Sequence, residues 1–131
     1  MNKNLIISIT SVIIILLVGV AVYMAFFNKP EEKVSEFSSS EYNYYIINFP
    51  SDKILGTVDN QEMAKEKAEA VWIEMYGEEI KKEKKPYIVY FDLNSGVWLV
   101  TGSLPKNMDG GVPYILIQKL DGKVLAVWHD K

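Results

Sequence analysis

The feature that most constrains this chain is an uncharged apolar run near its N-terminus. Leu5–Phe27 spans 23 residues without a charged side chain, more than the roughly 20 apolar residues that cross a bilayer core as a helix. Tyr23 and Phe26-Phe27 lie at one end of the run, where interfacial aromatic side chains accumulate. The sequence therefore predicts a transmembrane anchor over residues 1–27. The other 104 residues suffice for one small water-soluble core.

A cleaved signal peptide is the alternative interpretation of the same run. Gly19 and Ala21 have the spacing of small residues at a cleavage site, but the run exceeds the roughly 7–15 apolar residues of a signal peptide. An uncleaved single-pass anchor in the cell membrane is therefore favoured. Lys3 on one side and Lys29 and Lys33 on the other do not fix the orientation. The short N-terminal tail is typical of a signal anchor, which places the C-terminal domain outside the cytoplasm.

The composition after the apolar run excludes several classes of partner and site. All 17 acidic residues and 13 of the 14 Lys lie after Phe27, which gives that part a net charge of −4, and the chain has no Arg. A dedicated nucleic-acid binder needs a net-positive face and Arg side chains, so we expect no nucleic-acid partner. The absence of Cys excludes disulfides and thiol chemistry. With a single His and scattered carboxylates, we expect no metal and no other cofactor.

The chain after the anchor divides into a polar segment and a folded body. Asn28–Glu41 is charged and Ser-rich, which predicts a linker. Tyr42–Phe49 is aromatic and β-branched, which predicts a first strand or an extended segment. A helix is expected to begin at a capping box of Asp59 and Glu62 and to end at Gly77 in the left-handed conformation. Its predicted buried stripe is Ala64, Ala68, Val71, Trp72 and Met75, and its predicted solvent face is Glu62, Lys65, Glu66 and Glu69.

After Pro86 the apolar pattern changes to a period of two, which indicates strands. The turn segments Asn94–Gly96 and Asp121-Gly122 predict hairpins, because Asn, Asp and Gly tolerate positive φ. The predicted strands are Tyr87–Leu93, Val97–Ser103, Tyr114–Lys119 and Lys123–Trp128. Both faces of these strands are apolar, so either the sheet curls around a second small core or one face binds a partner. One main helix on a curved antiparallel meander gives an α+β domain over residues 42–131.

From about Thr57 to Lys131 the order of several short motifs resembles a bacterial immunity-protein family with an NTF2-like fold. The motifs are Tyr76-Gly77, Pro86-Tyr87, Trp98-Leu99-Val100-Thr101-Gly102, Leu104-Pro105, Gly110-Gly111, Gln118-Lys119, Asp121-Gly122 and His129. The resemblance implies a small NTF2-like, or cystatin-like, domain behind the anchor. It also implies a non-enzymatic protein that binds and neutralises a toxin delivered between competing bacteria.

Several residues could carry chemistry, and each has a simpler interpretation. Gly110-Gly111 could bind an anion, but without a phosphate-binding motif or a following helix it indicates a backbone bend. His129 could be a general base, but it lacks a matched acid or nucleophile nearby in sequence. Asp92 could be the base of a pocket, or simply the carboxylate beside a turn. The cluster Lys81–Lys85 could contact anionic lipid or an acidic partner, or form a solvated loop. Trp72, Trp98 and Trp128 are expected in the core.

Elimination and the resemblance together indicate a non-catalytic protein with a protein partner. The alternatives are an extracytoplasmic sensor or inhibitor module of the cell envelope and an enzyme with a pocket in the curled sheet. Partner contacts are expected on the loop Leu104–Pro113, because loops tolerate the variation that partner specificity needs. The candidate contact residues are Met108, Asp109, Gly110, Gly111 and Tyr114. A domain outside the cytoplasm suits a toxin that acts at the cell envelope.

Overall fold

The computed structural model describes residues 2–27 and 33–131 and divides the chain into two compact units, Met1–Lys33 and Val34–Lys131. Residues 28–32, which begin the predicted linker, lie outside the described residues. In the first unit, α1 (Lys3–Phe27) is a helix of 25 residues, about 37 Å long at 1.5 Å per residue. It is long and apolar enough to cross a bilayer, a property that it shares with signal sequences near an N-terminus.

Two hydroxyl groups of α1 are satisfied within the helix itself. Thr10 Oγ1 lies 2.9 Å from the carbonyl oxygen of Ile7, and Ser11 Oγ donates to the same carbonyl at 2.8 Å. A bilayer core offers no water to such groups, so a polar side chain there needs a partner within the protein. These two side chains are therefore compatible with a place in a bilayer.

The second unit is an α+β domain, as predicted. Its strands are β1 (Ser35–Glu36), β2 (Ile88–Asp92), β3 (Val97–Thr101), β4 (Pro113–Gln118) and β5 (Val124–His129). Its helices are α2 (Asn43–Asn48), α3 (Gln61–Tyr76) and α4 (Ile80–Glu83), with a 3-10 turn at Ser39–Tyr42. The five strands form one open sheet in the order β1-β2-β3-β4-β5. Each of the four predicted strands is confirmed, with ends that differ by at most two residues.

The last four strands form the predicted antiparallel meander. The register pairs Tyr90 with Leu99 across β2 and β3, and Leu99 with Leu116 across β3 and β4. The two hairpin turns lie where the sequence predicts them, with positive φ at Gly96 and Gly122. β1 was not predicted. It pairs with β2 in parallel, so the sheet is mixed rather than purely antiparallel.

The main helix, α3, has a different N-cap from the one that the sequence predicts. Asn60 occupies the N-cap with an extended backbone, and its side chain accepts a hydrogen bond from the N–H of Met63 at 2.9 Å. The capping box of Asp59 and Glu62 is therefore wrong, because the cap lies one position further along the chain. Gly77 ends the helix as predicted, but its φ of 95° and ψ of 170° lie outside the left-handed helical region.

α3 covers one face of the sheet. Four members of its predicted stripe are buried in this core: Ala64, Ala68, Val71 and Trp72. Trp98 on β3 belongs to the same core, and its indole N–H donates to the carbonyl of Val58 at 2.9 Å. The predicted positions of two residues on this helix are wrong. Met75, in the last turn, is 50% exposed, and Glu69 is drawn toward the sheet because it accepts a hydrogen bond from the Tyr87 hydroxyl at 2.7 Å.

The other face of the sheet is covered by residues 37–49, which precede α3. Tyr42–Phe49, predicted as extended, instead completes the 3-10 turn and forms α2. Tyr42, Tyr45 and Ile46 have helical spacing, and together they pack against this face. The ring of Tyr45 stacks on Trp128 with centroids 4.2 Å apart. Residues 34–41, assigned to the linker from their composition, also belong to this folded unit. The apolar second face is therefore a second small core.

Asp92 connects this cover to the sheet. Its side chain is buried, and Oδ2 accepts hydrogen bonds from the backbone N–H and the hydroxyl of Ser39, both at 2.7 Å. Oδ1 accepts from the N–H groups of Asn94 and Ser95 at 3.0 and 3.2 Å. These bonds, those from Ser39 above all, hold the pKa of the Asp92 carboxyl well below its usual range. Both oxygens serve local donors, so Asp92 has a structural role.

Candidate partner-binding surface

The predicted contact loop, residues 104–113, connects β3 to β4 and is fixed at its base. The N–H of Gly102 donates to the carbonyl of Pro113 at 2.9 Å. The Nζ of Lys84, which follows α4, donates to the carbonyl of Gly111 at 2.9 Å. The two ends of the loop are therefore joined to each other and to the segment after α4, and the residues between them project from a defined base.

The tip of the loop is exposed to solvent. Met108 is 53% exposed, and Asp109 and Gly110 are also exposed. The N–H of Met108 donates to the carbonyl of Pro105 at 3.1 Å, which closes a turn at the tip. Among the described residues, the Asp109 carboxylate makes no ion pair. An adaptable thioether thus lies beside an unpaired carboxylate, a combination that suits contact with another protein.

The two glycines of the loop have separate backbone roles. Gly110 has a φ of 133°, which side chains of L-residues rarely allow. Gly111 is buried, and a Cβ atom at this position would collide with the backbone of Asp130. The pair is required by the bend and by the close approach of the loop to the C-terminal residues. This geometry supports the backbone interpretation over an anion-binding turn.

Tyr114 lies at the border between the loop and the second core. Its ring stacks on Trp128 with centroids 5.1 Å apart and planes inclined by 8°. Its hydroxyl donates to Oδ2 of Asp130 at 3.1 Å. Burial, followed by this hydrogen bond, raises the pKa of the Tyr114 hydroxyl to about 12. Tyr114 is therefore only partly exposed, and it stabilises the end of the sheet.

The structure places His129 at the surface, at the end of β5. Its Nδ1 lies 2.6 Å from the carbonyl oxygen of Asp130, and its ring contacts that of Tyr76 at the end of α3, with centroids 5.5 Å apart. Residues 2–27 and 33–131 contain no group of three or more His, Cys, Asp or Glu side chains that could hold a metal ion. These contacts make His129 a neighbour of α3 on the exposed side of β5.

The basic cluster Lys81–Lys85 is partly engaged in local contacts. The contacts are Lys81 with Glu78 at 3.4 Å, Lys85 with Glu69 at 3.2 Å, and Lys84 with the carbonyl of Gly111. Lys82 is exposed. The cluster is therefore more than the solvated loop expected from its composition, because Lys84 helps to position the contact loop.

A groove between α3 and the segment after α2 has no counterpart in the sequence predictions. Phe49, Asp52, Lys53, Met75 and Val127 are among its lining residues. Sequence reasoning missed it because the helical pattern assigned Met75 to the core and the aromatic run assigned Phe49 to a strand or an extended segment. One feature of the sequence does indicate that Met75 is exposed. Met75 lies two residues before the helix-ending glycine, where a helix can extend beyond the surface that it covers.

Comparison with known proteins places the folded unit in a family. A family model described as NTF2 fold immunity protein matches residues 63–131. The chain is also 38% identical over 90 residues to "Uncharacterized protein YbbC" of Escherichia coli (strain K12), an alignment that covers 66% of this chain and 72% of that protein. No solved structure matches. The residues matched by the family model include most of α3, the meander and the contact loop. The chain therefore belongs to the family of NTF2 fold immunity proteins.

Proposed function

We propose that this chain is a membrane-anchored immunity protein that binds a cognate bacterial toxin and neutralises it without catalysis. The observation that carries the proposal is that residues 63–131 belong to an immunity-protein family of NTF2 fold. This stretch includes the β3–β4 loop and the strand ends beside it. Neutralisation by binding needs a surface with a defined shape, and the fixed loop base with its exposed tip provides one.

The toxin contacts the tip of the β3–β4 loop in this proposal. Met108 supplies an adaptable apolar contact and Asp109 an unpaired negative charge, and Gly110 allows the bend that presents them. The base of the loop, at Gly111 and Tyr114, holds this surface against the C-terminal residues. The residues after Phe27 carry a net charge of −4, which favours encounter with a basic partner.

The non-catalytic part of the proposal rests on what the candidate catalytic residues do. Both oxygens of Asp92 accept hydrogen bonds from neighbouring residues. His129 contacts the ring of Tyr76 and the carbonyl of Asp130 at the surface. General acid–base catalysis needs a titrating group within reach of a substrate and of a second functional group. The described contacts of Asp92 and His129 instead join neighbouring parts of the domain to each other.

The membrane part of the proposal assigns residues 1–27 to an anchor, residues 28–33 to a connection and residues 34–131 to the immunity domain. α1 supports it through its length of 25 residues and its apolar composition. With the domain outside the cytoplasm, the toxin is one that acts at the cell envelope. Extraction with salt or alkali tests the anchor, because a spanning helix stays with the membrane under both treatments.

The test of toxin neutralisation is growth of cells that produce the toxin encoded next to this chain, with and without the full chain. The wild type is expected to restore growth. Asp109→Lys is expected to weaken protection, because it reverses the charge at the loop tip. His129→Ala is expected to protect as well as the wild type, since this side chain does no chemistry in the proposed mechanism.

Glu66→Lys is the matched control for Asp109→Lys. Glu66 is an exposed residue of α3, and its replacement changes the net charge by the same amount outside the loop. Equal loss of protection in both variants would indicate a general charge effect rather than contact at the loop. Loss of protection only in a folded His129→Ala protein would contradict the non-catalytic mechanism. Tyr114→Ala is a poorer probe, because it also removes the stack on Trp128.

A further inference from the structure

The groove between α3 and the segment after α2 leaves two large apolar side chains, those of Met75 and Phe49, partly exposed to solvent. Phe49, Met75 and Val127 contribute its apolar lining, and its volume is about 660 Å³, within the range of roughly 300–1,000 Å³ that is usual for binding clefts. Met75 is 50% exposed and Phe49 is 43% exposed. The groove is therefore large enough to accept one or two side chains of a protein partner.

The charges at the groove are unbalanced in favour of the negative sign. Lys53 lines the groove, but its Nζ lies 2.8 Å from Oε2 of Glu74, so this pair neutralises itself. Asp52 also lines the groove, is exposed, and makes no ion pair among the described residues. An apolar groove with one unpaired carboxylate on its rim complements an apolar side chain that is flanked by Lys or Arg.

A chain of contacts connects the groove to the β3–β4 loop. Gly111 in the loop approaches the backbone of Asp130. The preceding residue, His129, contacts the ring of Tyr76, and Tyr76 follows Met75 at the end of α3. Tyr76 is 38% exposed. The base of the loop is therefore connected through the C-terminal residues to the end of α3, where Met75 lines the groove.

We propose that the groove is a second contact site for the toxin, which inserts an apolar side chain beside Met75 and places a neighbouring Lys or Arg against Asp52. This inference rests on the proposed function, since the partner is the same toxin. It adds a location and a chemistry that the loop alone does not provide. The apolar side chain that the toxin inserts into the groove supplies affinity, and the charged pair at the rim supplies orientation.

The test is a binding measurement between the full chain in detergent and the purified toxin encoded next to it, by isothermal titration calorimetry. Met75→Lys and Asp52→Lys are each expected to raise the dissociation constant about tenfold or more, as loss of a central contact does. Met75→Leu is the matched control and is expected to bind like the wild type, because it keeps an apolar side chain of similar volume. Thermal unfolding of each variant shows whether it is folded.

The outcomes separate the two proposals. Unchanged affinity in both folded groove variants, with weaker binding by Asp109→Lys, would overturn the groove and leave the proposed function intact. Absence of binding by the wild-type chain would overturn both. A wild-type dimer that Met75→Lys abolishes in the absence of toxin would assign the groove to a second copy of the chain. If Met75→Lys does not fold, Asp52→Lys decides, because its side chain is exposed.

Discussion

The two faces of the sheet are both covered, but by covers of different kinds. One face packs against α3, a regular helix of 16 residues whose Ala64 and Ala68 are buried against the strands. The other packs against residues 37–49, a 3-10 turn and one short helix with partly exposed aromatic rings. The regular helix buries a continuous apolar stripe, whereas the irregular segment leaves the edges of its aromatic rings exposed to solvent.

The two covers are held to the sheet by different interactions. The α3 face depends mainly on the burial of apolar side chains, with Trp72 completely buried. The aromatic face depends in addition on one buried carboxylate, that of Asp92, which holds Ser39. We therefore expect apolar truncation to cost most on the first face, and we expect the second face to be sensitive to the loss of a single polar group.

The largest effect is expected from Trp72→Ala on the α3 face. Trp72 has no exposed surface, so its truncation leaves a cavity and should lower the free energy of unfolding by about 3–5 kcal/mol. Denaturant unfolding of the full chain in detergent, followed by circular dichroism, measures it. Trp72→Phe is the control and should cost less. If Trp72→Ala lowered the free energy of unfolding no more than truncation of a half-buried aromatic residue on the other face, the two faces would not differ as described.

The next largest effect is expected from Asp92→Ala. The substitution leaves the buried Ser39 donors without an acceptor, which should cost about 2–3 kcal/mol. Protection from hydrogen exchange in residues 37–49 should fall, while that of α3 should stay close to the wild-type value. Equal loss of protection in both covers would show that the two faces unfold as one unit.

The role of Asp92 also predicts how the stability of the domain depends on pH. The pKa of Asp92 is lowered in the folded protein, so the charged carboxylate stabilises the fold above its unfolded pKa of about 4. This contribution should decline as the pH falls below about 4 toward the lower folded pKa. Asp92→Asn, which does not titrate, should flatten the acid limb of the stability curve. An unchanged acid limb in that variant would contradict the assigned role of Asp92.

A smaller effect is expected from Tyr45→Ala on the aromatic face. The ring of Tyr45 is half-buried and stacks on Trp128 at 4.2 Å. Its loss should lower the free energy of unfolding by about 1–2 kcal/mol, since part of its surface is already in water. Urea unfolding measures it, with Tyr45→Phe as a control that keeps the stack. A cost equal to that of Trp72→Ala would mean that the two covers contribute alike.

The smallest effect is expected from Lys82→Ala. Lys82 is exposed on α4, and substitutions of this kind usually change stability by less than about 0.5 kcal/mol. Lys84→Ala is the informative neighbour, because Lys84 donates to the carbonyl of Gly111 and its loss should loosen the loop base. The same unfolding experiment compares them. A larger cost for Lys82 than for Lys84 would contradict the positions assigned to this cluster.

Periodicity predicts the α3 face well and the aromatic face poorly. Ala64, Ala68, Val71 and Trp72 repeat at helical spacing, and strands β2–β5 are bounded by turn residues, so local patterns identify both. The segment around Tyr42 and Tyr45 is too short and too aromatic for its helix to be distinguished from a strand by periodicity alone. Its conformation depends on Trp128 and Asp92, which are far away in sequence.

The candidate surface was predicted only in part, for a similar reason. The Gly110-Gly111 pair predicts a bend in the chain, and its place between two strands predicts an exposed loop. Contacts between distant segments are not encoded in such local signals. The hydrogen bond from Lys84 to Gly111 and the groove beside Met75 both depend on how separate elements meet in the folded domain.

The most direct test of the account is a titration of the toxin's activity with the full chain. If the chain neutralises the toxin by tight binding, the toxin's activity should fall linearly with added chain and reach zero at about one equivalent of chain per toxin. This result should not depend on incubation time. Substoichiometric amounts that abolish the activity progressively with time would contradict the account, because they would show that the chain acts on the toxin, or on its product, as a catalyst.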